Sequence, residues 1–185
     1  QKVKGIDLRE YGSGNLGATN VFRTLGPWWG SLCLFLDMAK GAAAVGLMTW
    51  LVSTWPEGAP TPFHITPDLF RIFAGFVAAM GHTFSPFVDF HGGKGVATTA
   101  GILLALAPAA LVVALLVFVA AACTFNRASV ASLVATGTLP LIVWKSTQSP
   151  VFCVWAILTF VLIAVRHRDN LVRLVRGGEP RIWND

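Results

Sequence analysis

Long apolar runs separated by short breaks rich in glycine, proline or charge set the plan of this chain. Residues 28–51, 69–88, 130–144 and 150–165 are apolar stretches, and a longer one extends from 96 to about 123. A membrane-spanning helix needs roughly 20 apolar residues, so these runs predict helices that cross a bilayer. Residues 1–28 are polar and predict a loop that turns helical after Leu16. Residues 53–68 are Pro-rich and carry Glu57 and Asp68 but no Lys or Arg, the profile of a non-cytoplasmic connection.

The run that starts at Val96 poses a topological problem. As one helix it would be roughly 39 Å long at about 1.5 Å per residue. A single crossing there would leave Asn126, Arg127 and the basic end with Arg166, His167, Arg168, Arg173 and Arg176 outside, against the positive-inside rule. Pro108 offers the remedy: a half-helix over 96–107, a turn, and a return span over 109–124 restore the parity. The predicted fold is therefore an all-α integral membrane protein, a polytopic helical bundle of about five full spans plus one short half-helix, in a single domain over 1–185.

Composition agrees with this class. Of 185 residues, 55% are hydrophobic and 12% charged, and the mean hydropathy is +0.65, more apolar surface than a soluble core can hide. The net charge of +5 marks loops on one side of the membrane rather than a nucleic-acid surface. Cys33, Cys123 and Cys153 each lie inside an apolar run without paired spacing, which suggests neither a disulfide framework nor a zinc site. The chain opens on Gln1 with no signal peptide, so it is expected to be N-terminally incomplete.

The predicted topology gathers four polar stretches on one membrane face: GSGNLGATNVFR from Gly12, HGGKGVAT from His91, NRASVAS from Asn126, and RHRDN with the following GGE from Arg166. Glycines in the second stretch allow left-handed backbone, so successive N–H groups could converge on a phosphate while Lys94 supplies charge. Ser13, Asn15, Thr19, Asn20 and Arg23 add uncharged or cationic hydrogen-bonding groups beside flexible glycines, suited to an anionic polyol. His167 recurs with Asn170 and Arg173 on one helical face, near Glu179.

Several other chemistries are excluded. Gly12, Gly14 and Gly17 fit a dinucleotide-binding spacing, but KGIDLREY before them is not a buried strand. Gly95 stands where a Walker A motif requires Ser or Thr. No Asp follows any histidine at the spacing H-x-x-x-x-D, and the dispersed histidines and carboxylates imply no metal and no cofactor. Within the first span, Asp37 and Lys40 are spaced i, i+3 and are expected to pair. His82 is expected to be a polar group hydrogen-bonded inside the bundle.

KGIDLREYGSGNLGATNVFRTLG, LDMAKG, GH followed by FHGGKGVAT, SVAS and RHRDN with GGE, in this order, resemble the bacterial acyl-phosphate:glycerol-3-phosphate acyltransferases, the PlsY-type family. The resemblance covers nearly the whole chain. It implies a multi-span enzyme of the bacterial inner membrane with a cytoplasmic site, no metal, no acyl-enzyme and no obligate protein partner. Such an enzyme moves an acyl chain from acyl phosphate to the first hydroxyl of glycerol 3-phosphate, giving lysophosphatidic acid and phosphate. The donor's own phosphate would assist deprotonation of the attacking hydroxyl.

Carried over by motif, Ser13, Arg23, Lys94, His167 and Asn170 would be catalytic. Asn15, Thr19, Asn20, Gly92, Gly93, Gly95, Ser129 and Glu179 would bind substrate. The loop around Lys94 would hold the donor phosphate, so Gly93→Ala is expected to weaken binding with no charge lost.

The family normally has one further spanning helix, ahead of Gln1 here. His91 stands where a Lys is common, and Asn126 and Arg127 look shifted, so Arg127 receives no role. A transporter for an organic phosphate, with half-helices meeting near Pro108, is the alternative reading.

Overall fold

The computed structural model describes residues 5–56 and 66–183. Residues 57–65 of the Pro-rich connector lie outside the described residues. Among the described residues there are helices and turns and no strand. In chain order the α-helices are α1 (Ala18–Leu25), α2 (Pro27–Ser53), α3 (Pro67–Thr83), α4 (Val96–Leu106), α5 (Pro108–Phe125), α6 (Ala128–Gly137), α7 (Leu139–Thr147), α8 (Pro150–Arg166) and α9 (Arg168–Val175). Proline opens α2, α3, α5 and α8, where its missing N–H removes no intrahelical bond.

The half-helix is present. α4 ends at Leu106, and Ala107 turns the chain with φ −152° and ψ 72° before Pro108 starts α5. Two other predicted spans differ in detail. The span expected over 69–88 leaves the helix at Thr83, and a 3-10 turn over Pro86–Val88 follows because Pro86 cannot donate to a continuing helix. The span expected over 130–144 is split at Thr138, where Pro140 likewise withholds the N–H that would reach back one turn.

Among the described residues, three stretches are long and apolar enough to cross a membrane: Pro27–Ser53, Pro108–Phe125 and Ala128–Thr147. The α8 and α9 pair, bent by 56°, makes a fourth if counted as one span. Of the five spans expected, α3 is the shortfall, because its helix stops where the polar loop begins.

The buried centre is formed by Val45, Ile102, Leu139, Val143, Trp155 and Ala156 with their neighbours. Large apolar side chains such as Phe35, Leu116 and Leu141 point outward, which suits lipid and not water. Helices in lipid are held chiefly by close packing, and small residues permit it. α2 and α4 cross on glycine: a Cβ on Gly101 would stand 1.8 Å from the Met38 carbonyl oxygen, and one on Gly41 would stand 2.3 Å from that of Thr98. This crossing sets the start of α4 beside the polar part of α2. Gly101→Ala must push two backbones apart, an overpacking cost of about 1–3 kcal/mol. A lowered melting temperature in detergent is the expected result, and an unchanged one would refute this crossing.

Candidate active site

The loop ahead of α1 is built around one side chain. Asn20 is 1% exposed; its Oδ1 accepts from Ser13 N at 2.8 Å, and its Nδ2 donates to the carbonyls of Tyr11 at 3.0 Å and Leu8 at 3.2 Å. Gly12 has φ +62°, and a Cβ there would stand 2.2 Å from Asn20 Oδ1. Asn20 thus holds the loop through its amide, and it also lines the cavity described below. Asn15 Oδ1 accepts from Gly17 N at 2.8 Å, which turns the chain into α1. Arg23, one turn after Thr19, reaches the carbonyl oxygens of Pro180 and Arg181, each at 3.5 Å.

The glycine loop departs from the expected phosphate nest. Gly92 N–H is engaged by the Thr83 carbonyl at 3.1 Å. A Cβ on Gly92 would stand 2.0 Å from the His82 carbonyl oxygen, and one on Gly93 would stand 2.1 Å from His82 Nε2. These two glycines let the loop dock against the end of α3. Only Gly95 of the three has a positive φ, +88°, and it leads directly into α4. The groups left to face an anion are therefore Lys94 and the first-turn amides of α4, which have no intrahelical acceptor.

Behind Lys94 stands a relay of hydrogen bonds. The Lys94 ammonium donates to Asn170 Oδ1. Asn170 Nδ2 donates to Glu179 Oε1 at 2.7 Å, and Arg173 Nε donates to Glu179 Oε2 at 3.0 Å. Burial alone would raise the Glu179 pKa, but Asn170, Ser129 and Arg173 hold it below the usual range. Burial lowers Lys94 to about 8, with Glu179 opposing the shift and Arg173 adding to it. Among the described residues Lys94 has no ion-pair partner, so it is a half-buried cation that an anionic ligand would complete.

His167 is 3% exposed, and burial with the nearby Lys94 charge lowers its pKa to about 4. Its Nδ1 lies 2.8 Å from the Ile163 carbonyl, which assigns the proton to Nδ1 and leaves a lone pair on Nε2. His167 therefore offers an acceptor to a hydroxyl rather than a positive charge. Burial also lowers the Arg23 pKa, with Glu179 opposing, but a guanidinium stays charged throughout.

These groups meet in a cavity of about 160 Å³. Ser13, Asn15, Thr19, Asn20, Arg23, Lys94, Gly95, Ser129, His167, Asn170 and Glu179 all line it. Gly92 and Gly93 do not, because they face α3. Ser129 Oγ is buried close to the Glu179 carboxylate and helps to lower its pKa. A second, polar cavity shares Ser13, Asn15, Lys94 and Asn170 and adds His91, the predicted site residue Gly92, Arg166, Arg168 and Arg173. The shared residues make it an extension of the first.

Sequence reasoning assigned no site role to Asp37, His82, Ser132, Leu34 or Phe118, which also line the main cavity. Asp37 and Lys40 do pair, at 2.6 Å, and His82 Nδ1 lies 3.4 Å from Asp37. The charge of Asp37 within an apolar run was the available signal. Ser132, three residues after Ser129 on α6, was legible from helical spacing. Leu34 and Phe118 carried no signal, since apolar residues are ordinary in such helices.

The low pKa of Lys94 makes a prediction. In free enzyme Lys94 is cationic below about pH 8 and neutral above, so anion binding weakens as pH rises through that value. Because kcat/KM reports free-enzyme ionisations, it is expected to fall on an alkaline limb near pH 8. Lys94→Arg should move that limb out of the measurable range, and a limb unmoved in that variant would assign it elsewhere.

Comparison with known proteins gives the family and the fold. The family profile described as glycerol-3-phosphate acyltransferase matches residues 1–177. A glycerol-3-phosphate acyltransferase of Trichlorobacter lovleyi is 38% identical over 97% of this chain and 86% of its own length. One from Bacillus velezensis is 37% identical over 97% of this chain and 86% of its own. Among solved structures, the crystal structure of PlsY (YgiH), an integral membrane glycerol 3-phosphate acyltransferase in its glycerol 3-phosphate form, superposes with a TM-score of 0.83 at 36% identity. That match covers 97% of this chain and 84% of the other. The lysophosphatidic acid form of PlsY superposes with a TM-score of 0.80 at 34% identity.

Proposed function

The chain belongs to the glycerol-3-phosphate acyltransferase family, and we propose that its cavity transfers a fatty acyl group from acyl phosphate to the 1-hydroxyl of glycerol 3-phosphate. The observation that carries this reading is the convergence of Lys94, Arg23 and the start of α4 on one cavity that also has an apolar wall at Leu34 and Phe118. Two anionic groups and an alkyl chain can be held there together.

An acyl phosphate is already activated, so the site has mainly to align its substrates and stabilise developing charge. Lys94 and the α4 amides near Val96 and Ala97 would hold the donor phosphate. Arg23, with Ser13, Asn15 and Thr19, would hold glycerol 3-phosphate. The hydroxyl oxygen attacks the acyl carbonyl, the carbon–oxygen bond to phosphate breaks, and the hydroxyl proton leaves with the phosphate. His167 Nε2 and Ser129 Oγ would orient that hydroxyl. With a pKa of about 4, His167 is a weak base, so the departing phosphate is the better proton acceptor.

The same reading treats residues 1–185 as one acyltransferase domain in the bacterial inner membrane. The basic residues Lys94, Arg166, Arg168 and Arg173 meet at one end of the bundle, which supports a cytoplasmic orientation for the cavity. In lipid or detergent, the protein supplied with palmitoyl phosphate and glycerol 3-phosphate is expected to release inorganic phosphate and lysophosphatidate in equal amounts. Vesicles that accumulate glycerol 3-phosphate unchanged and release no phosphate would overturn the assignment.

A further inference from the structure

We propose that Asn126 is a positioning residue that clamps residues 179–183 across one wall of the site and so sets Glu179 and Arg23 in place. The proposal rests on the reading of this cavity as the acyl-transfer site. Asn126 lies in the turn between α5 and α6, 53 residues before Glu179 in sequence, and belongs to no wall of the main cavity. Its φ of +50° is left-handed, a conformation that Asn tolerates better than most residues.

Its amide oxygen is fully engaged, and its nitrogen donates once. Oδ1 accepts from the backbone N–H of Ile182 at 3.0 Å and of Trp183 at 2.9 Å, and Nδ2 donates to the Trp183 carbonyl at 2.9 Å. The Asn126 carbonyl also accepts from Ile182 N at 3.1 Å. Every one of these bonds grips main chain, so the clamp holds the path of the segment rather than any side chain on it.

That path needs holding. α9 ends at Val175, Gly177 turns the chain with φ +75°, and beyond it the backbone forms no helix. A segment with no helix of its own keeps its path only where other residues tie it down. Yet the segment begins with Glu179, 6% exposed, the acceptor of both Asn170 and Arg173. Its next two carbonyls are the partners of the Arg23 guanidinium. Released from Asn126, the segment would carry Glu179 away from Asn170, and Asn170 would lose the bond that aims its Oδ1 at Lys94. Arg23 would lose its carbonyl supports in the same step.

Kinetics with glycerol 3-phosphate and palmitoyl phosphate test this. Asn126→Gly keeps the left-handed turn and deletes the amide. It is expected to raise the KM for glycerol 3-phosphate about tenfold with a smaller change in kcat, on the scale of losing one or two hydrogen bonds. Asn126→Asp retains the acceptor for both N–H groups and should recover most of the loss. Ile182→Pro removes one of those N–H groups from the other side of the clamp, so it should reproduce the KM effect even if Asn126→Gly fails to fold. Because the route runs through Glu179, adding Asn126→Gly to Glu179→Ala should give little further loss.

Independent, multiplying effects of Asn126→Gly and Glu179→Ala would overturn the route. So would wild-type constants in both Asn126→Gly and Ile182→Pro. If Lys94→Ala has lost turnover meanwhile, the reading of the site survives that failure. If Lys94→Ala turns over normally, the site reading falls and the proposal falls with it.

Discussion

Lys94→Ala is expected to lower kcat/KM by about a thousandfold, the scale seen when a group that stabilises developing charge is removed from a preorganised site. The basis is its setting more than its sequence motif. Lys94 is buried enough for its pKa to fall to about 8, and its ammonium is held by a neutral amide, Asn170. A cation kept in a low-dielectric pocket without its own anion attracts a phosphate far more strongly than a solvated surface lysine. The amides of α4 remain in the variant, which is why activity should fall steeply without vanishing. Melting temperature measured in the same detergent separates lost chemistry from lost fold. Turnover within a few fold of wild type would remove Lys94 from the mechanism.

Gly92→Ala is expected to reduce turnover by about a hundredfold although Gly92 does not line the main cavity, because misplacing reacting groups by about 1 Å costs that much. The added Cβ would stand 2.0 Å from the His82 carbonyl oxygen and 3.0 Å from that of Thr83. Backbone cannot rotate away, so the loop must lift, and Lys94 lifts with it. The bond from Gly92 N to Thr83 O at 3.1 Å would be strained by the same movement. Gly93→Ala meets only the His82 imidazole, a side chain that can turn aside, though by leaving Asp37 and Lys40. Its effect should therefore be the smaller of the two. Equal activity of both variants and wild type would show that the loop does not dock on α3 as described.

The comparison of these glycines shows where sequence reading stops. Three glycines near a lysine suggested a nest of amides around phosphate, and two of the three serve a different end, close approach to α3. Glycine permits several uses of backbone, and only the neighbour that crosses it decides which one applies. His167 is a parallel case. Its motif was legible, but its neutrality follows from burial, from Lys94 and from a carbonyl on α8. Asn20 likewise lines the predicted site yet holds the loop together.

The order of helices followed from apolar runs and the prolines that interrupt them, because burying or exposing backbone in lipid is so unfavourable that helix ends are written locally. Even the break at Pro108 could be derived, since charge parity across the membrane constrains the whole chain. The four polar stretches, and the family they mark, were legible for the same reason: charged and glycine-rich segments at span ends stand out against an apolar background. The tertiary structure alone decided the phase of each helix about its axis, which turned Asp37, His82, Leu34 and Phe118 toward the cavity. It also brought Asn126 onto the backbone of residues 182 and 183. Rotation about an axis and contact between distant segments depend on how side chains pack across interfaces, and no local pattern in the chain records that.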